Sequence, residues 1–165
     1  MSFQFHALDH QQFVPFYGLS DQELAEHGIS ADIVERPAGF PCRVSLTLPE
    51  PGERVLLLNY AHLDVDSPYR SRHAIYIRDG QRTGHFDVGQ IPEMFNLKRV
   101  AVRGLSNQHH IKAGEMVQGE QELRLCIERL LNNPDIAYLH LHSPTHGCFL
   151  ATVSRAAVAS ELSGG

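Results

Sequence analysis

GEQELRLCIERLLNNPDIAYLHLHSPTHGCFLATV, residues 119–153, is the stretch on which the fold class turns. Its first part carries Leu123, Ile127 and Leu130 at helical spacing, with Cys126 nearby and Leu131 widening the apolar stripe. Asn132, Asn133 and Pro134 end that helix. YLHLHS (138–143) then changes the period from helical to alternating. As a strand it sends Tyr138, His140 and His142 to one face and Leu139 and Leu141 to the other. HGCFLATV (146–153) reads as a second strand after a short polar connection. A helix followed by two closely spaced strands predicts an antiparallel pair covered by that helix.

At the N-terminal end, FQFHAL (3–8) reads as a short strand. Ser20 and Glu23 have the offset of a reciprocal capping box over DQELAEHG, and Gly28 is the natural stop. CRVSLTL (42–48) alternates and predicts a strand with Cys42, Val44, Leu46 and Leu48 on one face. PEPGE (49–53) is a turn by composition. RVLLLNY (54–60) is more continuously apolar, as a central strand would be, and RHAIYIRD (72–79) follows as another. VGQIPEMFN (88–96) suggests a helical turn. RVAVRGLS (99–106) alternates with Val100 and Val102 inward and Arg103 outward or into a pocket, whereas QHHIKAGEMVQG (108–119) is ambiguous. Strands this close together favour antiparallel pairing, because a parallel crossover takes about a dozen residues. The expected fold is therefore α+β: a single domain over 1–157, a curved, largely antiparallel sheet packed against one main helix, and a flexible tail over 158–165. A barrel-like closure is the main alternative.

The chain has 165 residues, enough to bury a substantial core. With 42% hydrophobic residues and 20% charged, disorder as the overall state is excluded. A net charge of -5 argues against non-specific nucleic-acid binding, which needs a basic footprint. It leaves room for a local basic pocket that takes a small anion. Three cysteines without regular spacing make a poor disulfide framework and fit reduced thiols. No apolar run has the length of a transmembrane segment, and MSFQFHAL lacks the pattern of a secretory leader, so a cytoplasmic location is expected. Nothing in the sequence fixes an oligomeric state.

Three groups of residues carry chemistry. His140 and His142 lie about 6.5–7 Å apart along one strand face, a spacing at which two imidazoles can share a divalent metal. His146 and Cys148 are the local further ligands, and His62, His73 and Asp64 the distant ones. The alternative is a pair of same-face histidines hydrogen-bonded to backbone or water. Cys148 follows Gly147 and, beside histidine, would be a thiolate nucleophile; His142 and Cys148 are thus the catalytic candidates. As the start of an apolar strand, Cys148 is more simply read as a small core residue. SPYRS (67–71) offers Tyr69, the Arg70 guanidinium and hydroxyls suited to a carboxylate or phosphate, with Arg43 and Arg103 on adjacent strands. Arginines there also brace loops by pairing with Asp64, Asp66 or Asp79.

GFPCRVSL (39–46), PGERVLLLNYAHLDVDSPYRS (51–71) and YLHLHSPTHGCFLATVSRA (138–156) together resemble a bacterial family catalogued as domain of unknown function 1203. LSDQELAEHG (19–28) and AGEMVQGEQELRLCIERLL (113–131) fit the same pattern. The resemblance spans nearly the whole chain and implies one compact domain. On the residues themselves, the leading functional expectation is a domain that binds a small anion or metabolite through Arg43, Tyr69, Arg70, Arg103, His140 and His142. A metal-dependent or cysteine-dependent enzyme and a noncatalytic protein-interaction domain are the alternatives. The metal form would use His140, His142 and His146.

Overall fold

The computed structural model describes residues 2–96 and 98–157. They form two antiparallel sheets and two α-helices, joined by turns and short 3-10 segments. The strands are β1 (Phe3–His6), β2 (Ser30–Ile33), β3 (Arg54–Leu63), β4 (Ser71–Arg78), β5 (Arg99–Leu105), β6 (Ile111–Gln118), β7 (Tyr138–His142) and β8 (Phe149–Arg155). The helices are α1 (Asp21–Glu26) and α2 (Gly119–Leu131). The five-stranded sheet runs β1-β8-β7-β5-β6 and the three-stranded sheet β2-β3-β4. The class is α+β with one main helix, but the expected single curved sheet does not form. Each sheet has two free edges, β1 and β6 in one and β2 and β4 in the other, so neither curls or closes.

The main cause lies at Cys42–Leu48, where the alternation predicted a strand. The segment coils instead, with Leu46 N–H donating to Cys42 O at 2.8 Å and Cys42 N–H to Thr47 O at 2.9 Å. Leu46 adopts φ 53°, a left-handed conformation that costs about 1–2 kcal/mol outside glycine. Burial offsets that cost. Cys42 and Val44 enter the core of the three-stranded sheet, while Leu46 enters the core beneath α2. One alternating segment therefore serves two cores instead of lining one face. Gly84 closes over the coil, donating to Val44 O at 2.8 Å; a Cβ there would lie 2.8 Å from Ser45 O.

Local signals elsewhere are realised. Ser20 and Glu23 form the reciprocal capping box on α1. Leu123, Cys126, Ile127, Leu130 and Leu131 are all buried on α2, which lies across the five-stranded sheet against Leu139, Leu141, Val100 and Val102. Glu93–Phe95 is the helical turn expected within 88–96. The ambiguous 108–119 stretch supplies edge strand β6, and Ser30–Ile33 adds a strand that no separate sequence signal marks. The proposed tail, 158–165, lies outside the described residues. Among the described residues, no helix is long and apolar enough to cross a membrane.

Candidate functional site

Pairing of β5, β7 and β8 places Arg103 opposite His140 and Thr152 on the other side of the same histidine. Leu139 and Leu141 face α2, so Tyr138, His140 and His142 face the three-stranded sheet. His62, near the end of β3, meets them there. Its ring lies 5.1 Å from that of His142 and 6.2 Å from that of His140, centroid to centroid. It also stacks on Phe149 at 5.5 Å with an interplanar angle of 7°. His140 and His142 are 5% and 1% exposed, which makes this an interior cluster and not a solvated edge.

The cluster is held neutral. Burial, with like charge on the neighbouring histidines and Arg103 adding to it, pushes His140 down to about 3. Burial also pushes His142 down to about 3, although its bond to Gly147 O opposes the shift. His62 falls to about 4 through burial, then Arg103 and His73. His142 Nδ1 lies 2.9 Å from Gly147 O, which fixes Nδ1–H as the donor and leaves Nε2 with a lone pair. That Nε2 and His62 Nδ1 are buried with no hydrogen-bond partner among the described residues. Tyr138 extends the row outward, its hydroxyl 2.6 Å from His109 Nδ1.

A second, open site lies beside this cluster, in a cavity of about 590 Å³. Arg43, His73, Tyr76, Lys98, His146 and Cys148 are among its walls, with Ser143 and Thr145 from the β7–β8 turn. Arg43 is 3% exposed and donates from Nε to Phe149 O at 2.8 Å and from Nη1 to Pro41 O at 2.6 Å. Both partners are carbonyls, which leave the positive charge uncompensated among the described residues. Burial lowers the guanidinium to about 10, and burial followed by the Arg43 charge lowers the Lys98 ammonium. Among the described residues neither cation forms an ion pair, and no Asp or Glu lines the cavity. The volume is that of an ordinary small-molecule pocket.

The structure divides the sequence candidates between these places. His140, His142 and Arg103 belong to the interior cluster, and Arg43, His146 and Cys148 line the open cavity. His146 is exposed on its turn, apart from the buried pair. Among the described residues no group of three or more His, Cys, Asp or Glu side chains is arranged to hold a metal ion. Arg70 pairs with Asp64 at 2.7 Å, both largely exposed, and Tyr69 packs edge-on against His110. Neither lines the cavity. Ser67 reaches the end of the histidine row by donating to His109 O at 2.8 Å. Lys98 and Tyr76 carried no sequence signal as site residues. Lys98 precedes β5 like any basic residue at a strand start, and only the position of Arg43 makes it one of a pair.

The model of a family described as "Protein of unknown function (DUF1203)" matches residues 39–155, and the chain belongs to that family. No curated protein matches it, and no solved structure does.

Proposed function

We propose that this member of the DUF1203 family binds a small anion in the cavity between its two sheets, with Arg43 and Lys98 as the cationic groups. The observation that carries this reading is two partly desolvated cations facing one concave space with no carboxylate among the described residues of its walls. Such a charge pair is costly unless an anion meets it, and a carboxylate or phosphate would supply charge-assisted hydrogen bonds. Ser143 and Thr145 add hydroxyls at the rim. Arg43 is anchored by two carbonyls, so it meets a ligand already oriented.

Titration calorimetry with acetate, phosphate and sulfate at low ionic strength tests the reading. Lys98→Met keeps the aliphatic stem and removes the charge. We expect its affinity for the bound anion to fall at least about tenfold, since hydrogen bonds to charged groups contribute about 1.5–3 kcal/mol. Its thermal midpoint should not fall, because a desolvated ammonium has been removed. Equal affinities in the two proteins would remove Lys98 from the site, and no binding by any of the anions would end the proposal.

A second reading, cysteine chemistry in the same cavity, is favoured by Cys148 sharing its walls with His73 and His146. Cys42 and Cys126 are buried and serve as internal controls. Iodoacetate should alkylate Cys148 ahead of both, and the ratio of its rate to that of neutral iodoacetamide should drop in Lys98→Met. A ratio unchanged by the substitution would separate the thiol from the cationic pair.

A further inference from the structure

A second cavity, of about 370 Å³, adjoins the cationic one, with Ala38 and Lys98 lining both. Its other walls include Leu48 and Met94. Met94 is buried and Leu48 packs against the core beneath α2. Leu48 and Met94 continue into a third cavity, where Leu46 and Phe86 join them. The cationic pair therefore stands at one end of a run of apolar wall. Lys98 marks the boundary, because its ammonium feels the Arg43 charge while the residue also borders the apolar space. Among the described residues the one acidic residue on the apolar side is Glu93, which is exposed and lines both of those cavities.

We infer that the anion taken here is amphipathic: a single oxyanion head between Arg43 and Lys98, and an unbranched apolar tail laid along Ala38, Leu48 and Met94. This rests on the anion-binding reading above and adds the ligand class to it. The charges fix the orientation. An oxyanion is drawn to the carboxylate-free end, and Glu93 repels a second negative charge at the tail. Linear monocarboxylates fit this description and linear dicarboxylates do not.

The test is a series of n-alkyl carboxylates, acetate, butanoate, hexanoate and octanoate, titrated below their micellar concentrations into the full chain. Affinity should rise about threefold to fourfold per added methylene while the tail is being buried. Octanol and octanedioate should each bind at least about tenfold more weakly than octanoate. Leu48→Ala should weaken octanoate several-fold and leave butanoate unchanged, whereas Lys98→Met should weaken both, with circular dichroism showing each variant folded. Binding that depends on Lys98 but is flat in chain length would overturn the amphipathic ligand and leave the anion-binding reading standing. A chain-length gain matched by octanol would overturn the head-and-tail orientation. No binding by any carboxylate would overturn the amphipathic ligand, and the anion-binding reading falls with it only if phosphate and sulfate also fail to bind.

Discussion

Replacing Ile127 with Asp should lower the unfolding free energy by about 4 kcal/mol or more, enough to leave many domains of this size unfolded. Ile127 is fully buried on α2, among Leu123, Leu131 and the inward residues of the five-stranded sheet. The substitution removes a side chain packed on all sides and brings in a carboxylate with no partner. Two companions on the same element isolate the cause. Ile127→Val removes one methylene and should cost about 0.5–1.5 kcal/mol. Leu125→Asp places the same carboxylate two residues away, on a side chain that is 55% exposed, and should stay within about 0.5 kcal/mol of wild type. Urea denaturation of the three variants checks the order. Equal midpoints for Ile127→Asp and Leu125→Asp would mean that α2 does not bury this face.

Acid should destabilise the protein well above the range in which carboxylates protonate. In the unfolded chain the three clustered histidines titrate near their ordinary value of about 6.5. In the folded chain His62 is held down to about 4, and His140 and His142 to about 3. Between those limits the unfolded state binds more protons than the folded state, so stability falls as the pH falls. The stabilisation is complete above about pH 6.5 and is lost progressively toward pH 3–4. Each group contributes up to about 1.4 kcal/mol per pH unit inside that window. Sharing among mutually repelling neighbours reduces the sum, and a loss on the order of 4 kcal/mol is expected between pH 7 and 4.5. Urea midpoints across that range measure it. His62→Phe keeps an aromatic ring against Phe149 and removes the unpartnered Nδ1, so it should flatten the profile and raise stability at low pH. A wild-type profile flat from pH 7 to 4.5 would refute the neutral buried cluster.

The candidate site was legible in part. Alternation in YLHLHS was sufficient to put His140 and His142 on one face, since strand geometry is local. It did not show that His62 would close over them, because that contact joins β3 to β7 across 78 or more positions of chain and between two sheets. The composition of the SPYRS loop suits an anion, yet Arg70 meets Asp64 at the surface. Arg43 and Lys98 share a cavity although neither their separation along the chain nor their neighbours mark them as a pair.

Patterns that repeat within a few residues are legible in the chain alone: the apolar stripe of α2, the capping box of α1, the two faces of β7 and the strands β3, β4, β5 and β8. These follow from short-range geometry, from capping and from the burial demanded by one face of one element. How those elements are shared out between sheets depends on long-range packing. Cys42–Leu48 has the pattern of a strand and becomes a coil, because Val44 and Leu46 gain more by filling two different cores than by lining one sheet face. That choice leaves β2, β3 and β4 as a separate sheet, and the seam between the two sheets is where the histidine cluster and the cationic cavity lie. Periodicity says which side of a strand is buried; only the packing of distant segments says against what.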